Sequence, residues 1–437
     1  MTRGISDILQ FVEENDIKFI RLAFCDIFGE QKNIAILSSY LEHAFTSGVS
    51  FDASAISGFG NVTESDLFLW PDPDTLALFP WRPSQGCVAR FYCSIRYPDG
   101  RPFEGDGRWL LARAEEKARQ AGYSFQLGPE CEFYLFATDE KGRPLREPFD
   151  GAGYLDILPM DQGENVRRTI CLTLEEMGLR PERSHHEQGP GQNEIDFHCA
   201  PPLQAADNLE TLRTAVKAVA AQSGLYATFL PKPLPDASGS GLHLNLSVYR
   251  EGRNLFEGFR ENPNPKAASL LAGILREMPE ITAFANPLPS SYQRLGSCEA
   301  PALLGWSFQN RSQLVRVPAA WGDDSRIEVR SPDPSCNPYL VSALLLEAGL
   351  RGMEENLALP PSSDFDGTRQ ENSGRAPRLP ASLGEALGVL KNGSFARAVL
   401  PEPLLEKYLA QKSREWEAYQ AAEDPAAWES KRYFGRI

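Results

Sequence analysis

Glu130 and Glu132 stand two residues apart inside 124–136, a run whose apolar and aromatic residues predict a strand. Residues at that spacing point to one face of a sheet. Two carboxylates about 6 Å apart repel by roughly 3 kcal/mol at an effective dielectric near 20. A chain folds around such a pair where cations neutralise it. Downstream lie four more carboxylates in short polar segments, Glu187, Glu194, Glu299 and Glu328. Arg294, Arg311, Arg316, Arg326 and Arg330 accompany them. The carboxylates point to divalent metal ions and the arginines to phosphate, together to chemistry on a nucleotide.

At 437 residues the chain is too long for one small domain, and 42% hydrophobic with 24% charged residues is ordinary for a globular protein. No apolar run reaches the roughly 18 residues of a membrane span. The N-terminus has no long apolar segment of the secretory kind. A net charge of −15 without a polybasic tract argues against nucleic acid and anionic membrane as partners. None of the eight cysteines forms a Cys-x-x-Cys pair, and all are expected as reduced thiols in a cytoplasmic protein. Cys298, before Glu299 in a Gly-rich loop, reads as an ordinary loop residue.

A helix is expected at 5–14 and strands at 19–24 and 88–93. The turn-dense stretch 98–107 marks the boundary between an N-terminal domain, 1–104, and a larger one, 105–437. Beyond it the pattern predicts helices at 108–121, 164–177, 206–223, 265–278 and 338–356. Asn337 is the expected N-cap of the last, with Pro338 in the first turn. Further strands are expected at 226–230 and 242–248. Residues 359–381 read as an exposed loop and 400–437 as a polar helical tail. No internal repeat is present.

Between Glu187 and Glu194, Gly189-Pro-Gly191 forbids a helix, so the chain must turn back. That turn could bring both carboxylates onto one ion or leave them in a surface loop. Gly239-Ser-Gly-Leu-His243 opens a strand, with glycines that let backbone N–H groups approach an anion. His243 then shares a face with Asn245 and Ser247, as a ligand or as a structural histidine. In Arg326-Ile-Glu-Val-Arg330, Glu328 lies between two arginines on one face. The segment is either a surface ion-pair ladder or a cationic wall for phosphates enclosing one metal ligand. The chain has no P-loop, no Gly-x-Gly-x-x-Gly, no His-Glu-x-x-His and no Gly-x-Ser-x-Gly. Phosphate handling therefore falls to arginines and metals.

These segments resemble the glutamine synthetase family in its bacterial type I form. The resemblance runs over nearly the whole chain, through Phe51-Asp-Ala-Ser-Ala-Ile-Ser-Gly-Phe59, Gly153-Tyr154, Lys232-Pro233, Asn286-Pro287 and Ser331-Pro-Asp-Pro-Ser-Cys-Asn-Pro-Tyr339. It implies an α+β fold: an N-terminal β-grasp domain, then a catalytic domain with a curved antiparallel sheet flanked by helices. It implies a dodecamer of two hexameric rings with active sites shared between neighbours. The implied reaction joins glutamate and ammonia, with ATP, through γ-glutamyl phosphate. Mg²⁺ or Mn²⁺ is the implied cofactor, two or more ions per site.

Carried over by motif, Glu132, Glu187 and Glu194 match ligands of one ion, and Glu130, His243 and Glu328 those of a second. Arg294, Glu299 and Arg330 match glutamate and γ-phosphate positions, with Gly239 and His243 also on the substrate side. Arg311, Arg316 and Arg326 match residues around the ATP phosphates, joined by Phe197, Asn245 and Ser247. Asp52, Tyr154 and Glu187 match the ammonium pocket. Glu299 matches the flap over the phosphorylated intermediate. Asp52, Glu299, Arg311 and Arg330 are the implied catalytic residues.

Three departures cluster at the acceptor side. The family's Asp-Gly-Ser-Ser turn reads Asp52-Ala-Ser-Ala55, its Asn-Gly-Ser-Gly loop reads Ser238-Gly-Ser-Gly241, and its flap reads Gly296-Ser-Cys298 before the glutamate. They leave two alternatives to ammonia ligation open: γ-glutamylation of an organic amine, or a family member without activity. Residues 359–381 contain no tyrosine, so the adenylylation control known in part of the family is not expected.

Overall fold

The structure, a computed structural model, describes residues 4–437 other than 61, 62, 64, 83, 84, 364 and 373. The chain opens with α1 (Ile5–Glu14) and β1 (Ile17–Cys25), then β2 (Gln31–Leu37), α2 (Leu41–Ser47), β3 (Val49–Asp52), β4 (Asp66–Pro71), β5 (Ala77–Leu78) and β6 (Cys87–Arg96). These strands make a sheet of order β2-β1-β6-β4-β3, with β5 on β6. β1 and β6 run parallel at its centre. That central place explains why Ile20, Leu22 and Ala23 are all buried rather than alternating. This is the expected β-grasp arrangement.

The second sheet has ten strands: β7 (Ser124–Thr138), β8 (Pro144–Pro148), β9 (Pro181–His186), β10 (Gln192–Phe197), β11 (Leu225–Thr228), β12 (Leu242–Arg250), β13 (Arg253–Asn254), β14 (Trp306–Phe308), β15 (Val315–Val317) and β16 (Ile327–Val329). Its main path is β14-β15-β16-β12-β7-β10-β9, antiparallel except between β14 and β15. β7 is the spine. Its first half pairs with β12, its middle with β10, and its last residues with β11 and β8. A long strand that changes partners along its length curls the sheet.

Among the helices are α3 (Gly107–Gln120), α4 (Glu164–Glu176), α5 (Pro202–Gln222), α6 (Pro265–Ala285), α7 (Ser291–Arg294) and α8 (Pro338–Glu355). One apolar core runs from Phe91 of β6 through Leu127 of β7 to Leu344 of α8. Asn337 caps α8 as expected, its side chain accepting from Tyr339 N and Leu340 N at 3.0 and 3.2 Å. α6 corrects one expectation. It does not stop at 278 but passes through Pro279 to Ala285. Met278, Ile281 and Phe284 are buried on both sides of the proline, and that packing outweighs one lost hydrogen bond. α6 and α8 touch backbone to backbone: a Cβ on Gly273 would collide with the Ala348 carbonyl, and one on Gly352 with that of Ser269.

Two surface expectations also change. Residues 359–381 form a loop, but it packs on 305–313 rather than projecting into solvent. Trp306 Nε1 donates to Pro360 O at 2.8 Å, and Gln313 Nε2 to Phe365 O at 2.9 Å. Residues 364 and 373 of that loop lie outside the described residues. The tail is helical but not polar throughout, since Leu404, Leu405 and Tyr408 enter the core. No disulfide joins any of the eight cysteines. No helix among the described residues is long and apolar enough to cross a membrane.

Candidate active site

Strand register assembles the site. On β7, Glu132 is opposite Glu194 of β10, and Glu130 is opposite Asp196. On the other edge of β7, Glu130 is opposite His243 of β12. Asn245 then faces Glu328 of β16, and Glu328 faces Arg316 of β15. Acidic, imidazole and guanidinium groups thus lie side by side across five strands.

The distances divide these groups into two clusters. His243 Nδ1 lies 3.3 Å from Glu130 and 3.6 Å from Glu328, while its Nε2 is 3.9 Å from Glu132. His185 Nε2 lies 3.3 Å from Glu194, and its Nδ1 3.7 Å from Glu187. Ligand atoms of Glu130, Glu194 and His243 all fall within 4.8 Å of one another, as do those of His185, Glu187 and Glu194. The expected ligand sets are therefore interleaved, with Glu194 common to both clusters. Carboxylate oxygens with imidazole suit a divalent metal ion. Asp196 supports the fit: it is buried, and among the described residues its Oδ1 has no hydrogen-bond partner.

The two sides of the cluster differ in charge balance. Burial works against ionised Glu328, but Arg330, with Arg316, holds its carboxyl below the usual range. Burial also opposes ionised Glu130, yet the His243 contact prevails and brings it to about 2. Among the described residues, Glu187 and Glu194 have no arginine or lysine within 4.0 Å, only His185. Burial and then Glu132 push Glu187 up to about 8. Burial and then Asp196 push Glu194 well above the carboxylate range. This side has room for added positive charge.

Both clusters open into a cavity of about 540 Å³. Of the expected residues, Glu130, Glu132, Glu187, Glu194, His243, Tyr154, Gly239, Arg294, Glu299, Arg311, Arg316, Arg326 and Arg330 line it. Glu328 is buried beneath, paired with its two arginines. Asn245 and Ser247 are buried outside the lining. Asn245 holds Glu130 at 2.9 Å and accepts from Arg326 at 2.9 Å, while Ser247 donates to Ser325 O. Phe197 packs in the apolar core. A larger cavity of about 780 Å³, between Lys32 and Arg436, holds none of these groups.

Beside Arg294, Cys298 and Glu299 sit at φ 46° and 67°, both left-handed, in a loop closed by Gly296 N to Ala300 O at 2.9 Å. Arg294 donates to the carbonyls of Ser331 and Arg330 at 2.7 and 3.0 Å. Tyr154 is half exposed, edge-on to His185 with centroids 5.5 Å apart. Asp52 is exposed at the end of β3 and does not line the cavity. Its Oδ1 accepts from Ser54 Oγ and N at 2.6 and 2.9 Å, which holds the carboxyl below its usual range. The methyl of Ala53 is buried in the N-terminal core.

Sequence reasoning missed His185, Asp196, Arg183 and Gln192. Gln192 donates to Glu132 at 2.7 Å and Arg183 to Asp196 at 2.9 Å. His185–Glu187 and Glu194–Asp196 show the same two-residue spacing as Glu130–Glu132, a signal that was available.

Comparison with protein families matches residues 104–433 to the glutamine synthetase catalytic domain and residues 16–98 to the glutamine synthetase β-grasp domain. The chain belongs to the glutamine synthetase family. It is 45% identical to a glutamine synthetase of Clostridium saccharobutylicum, with 98% of each chain covered. It is 43% identical to one of Methanosarcina mazei, covering 99% of this chain and 98% of that one. Among solved structures it is similar to a GmaS–ADP complex, with a TM-score of 0.87, 28% identity and 99% of both chains covered. Apo GmaS gives the same TM-score at 29% identity. The family's fold is thus present from end to end.

Proposed function

We infer that the chain is a ligase that makes glutamine from glutamate and ammonia, using ATP. One observation carries the reading: carboxylates, imidazoles and arginines on separate strands converge on a single cavity, in a chain similar along its whole length to glutamine synthetases.

The arginines Arg311, Arg316, Arg326 and Arg330 meet the ATP phosphates and the transferred phosphoryl group. Glu130, Glu132, Glu187, Glu194, His243 and Glu328 would hold the Mg²⁺ or Mn²⁺ ions. Bound there, the ions neutralise phosphate charge that the arginines alone leave uncompensated. The γ-carboxylate of glutamate attacks the γ-phosphorus and ADP leaves, giving γ-glutamyl phosphate. Arg294 and Arg330 orient glutamate, and Glu299 covers the intermediate against water. The ammonia nitrogen then attacks the acyl carbon and phosphate leaves.

Tyr154 and Glu187 form the ammonium pocket with Asp52. Ser54 lowers the basicity of Asp52, so its main contribution is attraction of the cation; ammonium gives up one proton toward this carboxylate before its freed lone pair attacks, and a second N–H proton leaves with the departing phosphate. Asp52 lies outside the cavity of its own chain, which supports a shared site in a homo-oligomer, two hexameric rings by family expectation. Eight cysteines outside any disulfide support a cytoplasmic setting, and the matched family segments support a domain boundary near 104.

The test is ADP release with glutamate and a panel of amines. Ammonium should give the highest kcat/KM. An organic amine that exceeds it tenfold replaces this reading, and no ADP release with any amine would favour a member without activity.

A further inference from the structure

The loop 151–162 carries Tyr154 but has almost no core of its own. Leu155, Ile157, Leu158 and Met160 are 57, 76, 54 and 51% exposed. Leu155 is also left-handed, at φ 60°. Within one chain apolar burial does not hold this loop, so polar ties do.

Those ties converge on Asp150 and His186. Asp150 Oδ1 accepts from Gly191 N at 3.0 Å and Ala152 N at 3.3 Å, and its Oδ2 from Gln162 N at 3.0 Å. Both ends of the loop and the turn after Glu187 therefore meet on one buried carboxylate. Its fourth partner is His186 Nε2, at 2.9 Å. His186 is fully buried, and its other ring nitrogen lies 2.7 Å from Glu187 O. The imidazole thus bridges the Asp150 carboxylate and the Glu187 carbonyl, two groups that accept hydrogen bonds. Leu155 N closes the circuit on His186 O at 3.1 Å.

Asp161 lies close enough to Asp150 and His186 for the three to resemble a metal site. Their donor atoms are already used. Both Asp161 oxygens accept from Arg167, at 3.3 and 2.6 Å. The cluster is a hydrogen-bonded lock that needs no cation.

The geometry points to Asp150 and His186 as positioning residues that fasten the Tyr154 loop to the backbone of Glu187, and so set the affinity for the amine acceptor. This rests on the reading that Tyr154 and Glu187 form the ammonium pocket.

In the full-length assembled enzyme, Asp150→Asn keeps the shape but loses the charge and one acceptor oxygen. Its KM for ammonium should rise about tenfold or more, with kcat at saturating ammonium and KM for ATP within about twofold. His186→Gln should behave alike. An unchanged ammonium KM in either folded variant overturns the proposal. So does a parallel loss across all substrates, which marks general damage, or rescue by added Zn²⁺ or Mn²⁺, which marks a metal site. Hydrogen exchange of the wild type gives a readout independent of variant folding. The amides of Ala152, Leu155 and Gln162 should be protected, and rapid exchange there overturns the lock. Tyr154→Ala separates the two readings. If it leaves ammonium KM unchanged, the pocket assignment fails; if it raises KM while Asp150→Asn does not, only the positioning role fails.

Discussion

Glu132 and Glu194 are directly opposed across the β7–β10 ladder. Among the described residues, neither forms an ion pair with a lysine or arginine; the imidazoles within 4.0 Å of them are those of His243 and His185. Glu132→Gln should therefore relieve repulsion and leave the fold intact. It should weaken Mn²⁺ binding about tenfold to a hundredfold and reduce turnover by orders of magnitude. Calorimetric Mn²⁺ titration beside the ADP assay checks this. Full activity in metal-limited buffer counts against the metal assignment.

Glu328 should behave differently. It is 1% exposed and serves both Arg316 and Arg330. Glu328→Gln leaves two guanidiniums facing a neutral amide, and breaking such a buried pair costs on the order of 3–5 kcal/mol. The variant should lose activity and also melt well below Glu132→Gln. Equal melting temperatures would place the arginines' compensation elsewhere.

Asp52 is exposed and outside its own cavity. Inactive Asp52→Ala protomers mixed with inactive Glu132→Gln protomers should recover part of the activity after subunit exchange. A fully active monomer by light scattering contradicts the shared site.

The contact of α6 with α8 tolerates no side chain at Gly352. Gly352→Ala should destabilise the protein by about 1–3 kcal/mol, the usual range for overpacking, and more where backbone must move. Thermal melting measures it, and an unchanged melting temperature would show that the helices can part.

Burial, and then Arg213, bring Lys217 down to about 8 from 10.5. The folded state thus favours the neutral amine. The associated stability is present above 10.5 and is lost as pH falls through 8. Lys217→Met should raise the melting temperature at pH 7, and its advantage should vanish by about pH 10. A pH-independent difference would refute the titration.

Local chemistry makes parts of this fold legible. The Asn337–Pro338 cap predicts the start of α8, and Gly189-Pro-Gly191 predicts the turn between two strands. Register is not local. Nothing near Glu130 in the sequence says that His243 will stand beside it and Asp196 across from it. Their pairing follows from which strands become neighbours, and the family resemblance supplied what periodicity could not. The end of α6 was misplaced for a related reason: Pro279 breaks a helix by local rules, while the core on both sides holds it together.

Glu194 belongs to both ligand clusters. An ion held by one cluster would draw electron density from a carboxylate that the other also offers. The two positions would then be wired in series: loading one would change the offer made to the next, and Glu194→Gln would weaken both together.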